Sequence, residues 1–182
     1  MKIRNGFVSN SSSSSFIVIF DKKPESVEEV RSLLYGKSKA VINYDEKMST
    51  LVLAEIVFED IENPEKCIKC GDKKSIDKLV EEFEDIFWSP EYYTIPEEFT
   101  PDKKDMDELA TLSKDKYSDE RWKDISKISK KLAKIEAKKY LEIYKDKFIL
   151  ITNYSDNDGS IQSELEHGDT FRNLIHIQIS HH

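Results

Sequence analysis

Phe16-Ile17-Val18-Ile19-Phe20 is an unbroken run of apolar residues. A strand that is buried on both faces, in the centre of a sheet, has this pattern. Asp21-Lys22-Lys23-Pro24 ends the run, and Ser26-Val27-Glu28-Glu29 then forms a capping box at the start of a helix. We therefore expect a central strand followed directly by a helix that ends at Gly36.

Three further segments have the apolar pattern of strands: 40–44, 148–152 and 174–179. The first two strands and the helix between them suggest a parallel pair joined by a right-handed crossover. Residues 174–179 alternate, which places Ile175, Ile177 and Ile179 on one face. The sequence predicts an α+β fold: one domain spanning 1–182, with a roughly four-stranded mixed sheet covered by a helical insertion at about 49–145.

Two parts of the predicted insertion leave alternatives open. Leu51-Val52-Leu53 suits a strand, whereas the spacing of Leu53, Ile56 and Ile61 suits one face of a helix, which we favour. Residues 118–145 carry lysines opposite an apolar stripe, which is typical of a solvated helix face. Contact of this lysine face with nucleic acid is the less favoured alternative.

Charge and composition limit the classes of function. The net charge of −8 argues against a nucleic-acid coat protein, because phosphate binding needs a basic surface. Nine Phe, eight Tyr and two Trp supply bulky core material, so we expect a folded chain despite a charged fraction of 35%. No stretch approaches the ~20 apolar residues of a membrane span, and no apolar signal segment follows Met1. We expect a cytoplasmic protein that does not enter a membrane.

Small polar residues lie immediately before the central strand. Their hydroxyl, amide and backbone N–H groups suit an anion such as phosphate. The segment lacks the Gly-x-x-x-x-Gly-Lys pattern of a phosphate loop, and it precedes a strand rather than a helix. A flexible leader is therefore the alternative interpretation. The candidate ligand-binding residues are Ser9, Asn10, Ser11, Ser12, Ser13, Ser14 and Ser15.

Carboxylates and imidazoles gather after the strand at 148–152, and all four histidines lie in the last sixteen residues. The set comprises Asp156, Asp158, Glu164, Glu166, His167, Asp169, His176, His181 and His182. A calcium loop of the EF-hand kind is disfavoured, because Leu165 occupies the position of the bidentate Glu. We assign a divalent metal ion to Asp156 and Asp158, and catalytic roles to Asp156, Asp158, His167 and His176. The alternative is an ordinary turn with surface histidines.

Cys67-Ile68-Lys69-Cys70-Gly71 has the spacing of one zinc knuckle. A structural zinc site needs two further ligands, which histidines or a second subunit would have to supply. Thioredoxin-like redox chemistry and unreactive reduced thiols are the alternatives for Cys67 and Cys70.

The segment 4–16, which reads Arg-Asn-Gly-Phe-Val-Ser-Asn-Ser-Ser-Ser-Ser-Ser-Phe, resembles the start of a group of uncharacterised proteins from bacteria and their phages. The segments 155–159 and 166–169 are similar to parts of the same group. The resemblance covers about thirty residues. It implies a bacterial or phage cytoplasmic origin and supplies no activity to transfer.

Three classes of function remain open, of which the third is a regulatory module stabilised by zinc at Cys67 and Cys70. In the first, the chain binds or processes a phosphorylated or nucleotide-like ligand where the serine segment meets the C-terminal Asp and His residues, with a divalent metal ion as cofactor. The two motifs meet only if their strands are antiparallel neighbours. In the second, the chain is a non-enzymatic protein that binds a host protein through its acidic surface or the Tyr92-Tyr93 segment. Whether the protein is an enzyme is left open.

Overall fold

The computed structural model of the chain describes residues 13–43, 46–88, 96–97, 99–114 and 119–180. The helices in these ranges are α1 (Val27–Tyr35), α2 (Thr50–Glu62), α3 (Lys73–Trp88), α4 (Lys103–Lys114), α5 (Asp119–Ile143) and α6 (Ser160–His167). The strands are β1 (Ser13–Phe20), β2 (Ala40–Asn43), β3 (Glu46–Ser49), β4 (Cys67–Ile68), β5 (Phe148–Ser155) and β6 (Ile175–Ser180). A short 3-10 turn, Asp156–Asp158, joins β5 to α6.

Four of these strands form one sheet in the order β4-β5-β1-β6. Every pairing in it is antiparallel, and β1 pairs with β5 from Ser13 opposite Ser155 to Phe20 opposite Phe148. The apolar run 16–20 lies in β1 and is buried, as its composition predicts.

Helices cover both faces of the sheet, and the pleat of β1 divides its side chains between two cores. Ile17 and Ile19 pack in one core with α3, α4 and α5. Phe16, Val18 and Phe20 pack in the other core with α1, α2 and α6. The predicted α+β class, with a four-stranded sheet covered by helices, is confirmed.

The sheet differs from the expected mixed sheet in two respects. The segment 40–44 does not pair in parallel with β1, because β2 forms a separate antiparallel hairpin with β3. The fourth strand of the sheet is instead β4, which lies within the predicted helical insertion and pairs with β5. The choice of strand partner depends on long-range packing, which the order of elements does not fix.

Helix α2 confirms the helical interpretation of 50–61. It begins at an N-cap, Ser49, whose side chain accepts a hydrogen bond from the backbone N–H of Leu51. One face of the helix, with Leu53, Val57 and Ile61, is fully buried. Among the described residues, no helix is both long enough and apolar enough to span a membrane.

Candidate functional site

The start of β1 and the end of β5 meet at one edge of the sheet. Because the strands are antiparallel, Ser13 lies opposite Ser155 and Ser14 lies opposite Tyr154. The chain therefore enters β1 where it leaves β5 for Asp156. This orientation is the one that the expected composite site requires. Ser9, Asn10, Ser11 and Ser12 lie outside the described residues.

The pleat of β1 separates the described serines. Ser14 lies on the same face as Phe16 and approaches α6, whereas Ser15 lies on the opposite face. The Ser15 hydroxyl accepts a hydrogen bond of 2.6 Å from Asn153 Nδ2. It also faces a depression lined by the α3 carboxylates Glu81, Glu82, Glu84 and Asp85. Negative charge on α3 opposes an anion at Ser15, so Ser14 is the better placed of the two for a site with the C-terminal residues.

Glu166 joins the two ends of the chain at this edge. Its side chain is completely buried, and Oε1 accepts a hydrogen bond from Ser14 Oγ at 3.2 Å. Oε2 accepts a second hydrogen bond from the backbone N–H of Asp156 at 2.8 Å. Gln178 on β6 donates to Ser14 Oγ at 3.3 Å and to the Glu166 carbonyl at 3.2 Å. These bonds fix the position of a buried carboxylate.

His167 completes a cluster with Glu166 and Asp156. Its Nε2 lies 3.5 Å from Glu166 Oε2 and 4.0 Å from Asp156 Oδ2. One ligand atom from each of the three side chains lies within 4.8 Å of the other two. We call Asp156, Glu166 and His167 the carboxylate–histidine cluster. It is the one group of three or more potential metal ligands found in the part of the chain that the structure describes.

The local sequence explains how this cluster forms. Ser155 caps the 3-10 turn by accepting a hydrogen bond from the backbone N–H of Asn157 at 3.3 Å. Gly159, with φ of 102°, adopts a backbone conformation that side-chain-bearing residues rarely reach. This reversal sends α6 back along the sheet. As a result, Glu166 and His167 in the last turn of α6 return to Asp156.

The structure separates Asp158 from Asp156. Strand geometry would have placed the two carboxylates on one side, but the chain leaves the strand at Asp156. Side chains two residues apart in a 3-10 helix point about 120° apart, because each residue turns the helix by about 120°. Asp158 is exposed and is not part of the cluster, so the expectation that Asp156 and Asp158 jointly bind one ion gains no support from this turn.

The structure also places His176 apart from the cluster. Its Nδ1 lies 3.0 Å from the Leu174 carbonyl oxygen, and its ring contacts Phe171. It lies opposite Val18, whereas Ser180 of the same strand lies opposite Ser14. His176 is thus four residues away from the site along β6. His181 and His182 lie outside the described residues.

The two cysteines face different elements. Cys67 Sγ donates to the carbonyl oxygens of Ile61 and Asn63, and Cys70 Sγ lies 3.6 Å from the Leu141 carbonyl oxygen. Burial raises the pKa of both thiols, and at Cys70 the nearby Asp146 and Glu142 raise the pKa further. The zinc site stays a prediction, and neither cysteine belongs to a group of three or more potential metal ligands among the described residues. Cys67 begins β4.

Beside the cluster lies a cleft of about 470 Å³ between the end of α6 and the segment joining α1 to β2. His167 belongs to both the cluster and the cleft wall. Burial, together with the nearby Asp169, raises the pKa of the Glu164 carboxyl in this wall. Tyr35, on the opposite wall, donates a hydrogen bond to Thr170 Oγ1, and burial raises its pKa to about 12.

Sequence reasoning placed Glu164 and Glu166 in the C-terminal set but gave neither a role. The available signal was the Glu166–His167 pair at the end of a short amphipathic helix. Comparison of the chain with family models, curated proteins and solved structures finds no match.

Proposed function

We propose that this chain binds a phosphorylated small molecule through a divalent metal ion held by Asp156, Glu166 and His167. The observation that carries the proposal is the convergence of two carboxylates and one imidazole on a space less than 5 Å across. Oxygen and imidazole nitrogen ligands together suit ions such as Mn²⁺ and Zn²⁺. A bound ion would also stabilise a carboxylate in the protein interior.

The surroundings of the cluster suit a metal site in a second way. Glu166 is oriented by Ser14 and by the backbone N–H of Asp156. Such outer hydrogen bonds hold a ligand in position before the ion arrives. Asp156 and His167 are each about one third exposed, so an ion bound between them would keep coordination positions open toward solvent. Phosphate oxygens commonly fill open positions on a divalent ion.

The serine segment supplies the second part of the proposed ligand site. Residues 9–12 are attached to β1 at Ser13, which lies at this edge of the sheet. Hydroxyl and backbone N–H donors there would contact phosphate oxygens that the metal ion does not bind. In this arrangement the carboxylates bind the metal ion and the serines bind the anion.

A purely structural role for the cluster makes a different prediction. If the His167 imidazolium only pairs with the two carboxylates, the protein binds no metal ion at this position. Titration calorimetry with Mn²⁺ and Zn²⁺ separates the two roles. We expect one ion per chain, with affinity reduced at least about tenfold in Glu166→Gln, because a neutral amide is a weaker ligand.

Matched variants make this test specific. Asp158→Asn removes one carboxylate from the same turn, and His176→Gln removes one imidazole from the adjacent strand. Neither residue belongs to the cluster, so neither substitution should change metal affinity. Titration with inorganic phosphate, in the presence and absence of Mn²⁺, then tests whether the anion binds through the metal ion. Equal metal affinity in Glu166→Gln and Asp158→Asn would exclude the proposed ion site.

A non-enzymatic interaction with a host protein is the second candidate function. The observation in its favour is the group of α3 carboxylates, Glu81, Glu82, Glu84 and Asp85, around one surface depression. Such a surface suits a basic protein partner. If a basic host protein binds to this surface, the charge reversals Glu81→Lys and Glu84→Lys should abolish its binding and leave metal binding unchanged. The Tyr92-Tyr93 segment lies outside the described residues.

A further inference from the structure

The cleft beside the carboxylate–histidine cluster has two chemically different walls. One wall, from the α1–β2 region, contains Val41 and Ile42, and Ile42 is 76% exposed. The other wall, at the end of α6, contains Glu164, His167 and Asp169. A volume of about 470 Å³ is within the usual range for small-ligand sites. Ile42 therefore gives this mainly polar cleft one exposed apolar side chain, across from the carboxyl groups of Glu164 and Asp169.

Glu164 is the unusual residue of the acidic wall. It is only 3% exposed, yet its carboxylate receives no hydrogen bond or ion pair from any residue in the described ranges. A buried carboxylate normally has donors, because desolvation of an unpaired charge is costly. Glu166, two positions away, has two such donors. The Glu164 carboxyl lines the cleft and keeps acceptor positions that the N–H groups of a ligand can fill.

Gly168 allows Glu164 to take this position. A Cβ atom at residue 168 would overlap both the carboxylate and the backbone carbonyl of Glu164. Next to it, Asp169 adopts a left-handed backbone with φ of 52°. Asp tolerates this conformation better than most side chains do. The turn brings a second carboxylate, Asp169, to the same cleft as Glu164.

Two carboxyl groups, Glu164 and Asp169, and one guanidinium group, Arg172, line the cleft. Burial, together with the nearby Asp169, raises the pKa of the Glu164 carboxyl. Arg172 also lines the cleft but forms no ion pair within 4.0 Å with any residue that the structure describes. A cation bound between the two carboxylates would remove their repulsion and supply the donors that Glu164 lacks.

We propose that this cleft binds a small organic cation, with Glu164 accepting hydrogen bonds from its guanidinium or ammonium head and Ile42 contacting its alkyl stem. The proposal goes beyond the metal site, because Glu164 and Asp169 are not members of the carboxylate–histidine cluster. It adds a second, cation-selective binding position next to the proposed ion.

Titration of the full-length chain, labelled with ¹⁵N and kept free of divalent metal by EDTA, tests this inference by NMR. The probes are 1-butylguanidinium, 1-butylammonium and the neutral 1-butylurea, which has nearly the shape of 1-butylguanidinium. We expect saturable shifts of the Gly168 and Asp169 amide signals with the cations only. The affinity ratio of the two cations identifies whether a planar or a tetrahedral head fits better.

Two substitutions that each remove one carboxylate locate the site. Glu164→Gln should weaken 1-butylguanidinium binding by at least about tenfold, as expected for loss of a charged hydrogen-bond partner. Asp158→Asn removes the same charge at an exposed position outside the cleft and should leave the affinity unchanged. Equal binding of 1-butylurea, equal effects of the two substitutions, or no binding by the unsubstituted chain would each overturn the proposal. Because EDTA is present, none of these results bears on the proposed metal site.

Discussion

Glu164 and Glu166 are two buried carboxylates on the same short helix, and their environments differ. Glu166 accepts hydrogen bonds from Ser14 and from the Asp156 backbone. Glu164 accepts none from the described residues, and burial raises the pKa of its carboxyl. The first carboxyl group thus has donors within the protein, whereas the second lines the cleft and can accept hydrogen bonds from a ligand there.

Glu164→Gln should stabilise the protein at neutral and alkaline pH. The pKa of Glu164 is raised above its ordinary value of 4.5, so the folded state retains this proton to a higher pH than the unfolded state does. Stability is therefore lost as the pH rises from the unfolded pKa through the folded pKa. Thermal melts at pH 4 and pH 8 should show no gain in Tm for Glu164→Gln at the lower pH and a clear gain at the higher one.

A matched substitution at a surface carboxylate controls for net charge. Glu46 is exposed on β3, so Glu46→Gln should give equal melting temperatures to the unsubstituted chain at both pH values. If Glu164→Gln also shows no pH-dependent gain, the carboxylate is satisfied by a donor in solution.

The meeting of Ser14 with the Asp156 region was predictable from sequence only in part. The residue types at both ends indicated a polar site, and strand orientation was the deciding condition. The role of Glu166 was not predictable, because its burial depends on Ser14, which is 152 positions away in sequence. His167, the next residue, is partly exposed although Glu166 is completely buried. The polarity of the local sequence therefore does not show which of these two side chains is buried.

At the level of elements, β4, the shortest strand in the described ranges, lies beside a polar network centred on Asp60. Strand β4 pairs with β5 through only two residues, Cys67 and Ile68. Beside it, Asp60 on α2 forms an ion pair of 2.5 Å with Lys66 and accepts hydrogen bonds from the hydroxyls of Thr152 and Tyr154. This network fastens α2 and the start of β4 to β5.

Asp60→Asn should therefore loosen this edge of the sheet. Its carboxylate is mostly buried, and hydrogen bonds to charged groups make a net contribution of about 1.5–3 kcal/mol each. We expect the free energy of unfolding to fall by about 2 kcal/mol in urea titrations, since the amide keeps part of the network. Amide exchange in β4 should accelerate more than exchange in β1.

The pair of Lys147 and Asp21 provides the comparison for that experiment. Asp21 is 93% exposed, and its 2.8 Å ion pair lies in solvent. Asp21→Asn should leave the urea midpoint unchanged, because exposed ion pairs contribute little. Equal destabilisation by Asp60→Asn and Asp21→Asn would show that the Asp60 network does not hold the edge strand.

Helices and strands with strong local periodicity could be predicted, whereas strand partners could not. Helix α2 and strand β6 follow from the spacing of apolar residues within each segment. Strand β4 has no such signal, because two residues cannot show a period. The expected parallel partner of β1 instead forms a hairpin with β3, and only the antiparallel sheet brings Ser14 near Asp156.

For the whole molecule, the sheet is the structure that the two cores share. Leu132 belongs to the core with α3 and α5, and Leu53 belongs to the core with α1 and α2. Consecutive residues of β1 contribute to opposite cores. Loss of β1 from the sheet would therefore expose both cores together, so we expect unfolding in one cooperative step.

The tryptophans allow this cooperativity to be measured. Both Trp residues of the chain, Trp88 and Trp122, pack against the Leu132 core, so their fluorescence reports on that side of the sheet. Leu53→Ala, in the other core, should cost about 2–5 kcal/mol and should shift the urea transition equally by fluorescence and by far-UV circular dichroism. Leu132→Ala is the matched substitution beside the tryptophans. If the fluorescence midpoint of Leu53→Ala stayed at the value of the unsubstituted chain, the two cores would unfold independently. The core that contains the tryptophans would then be unaffected by a cavity in the other core.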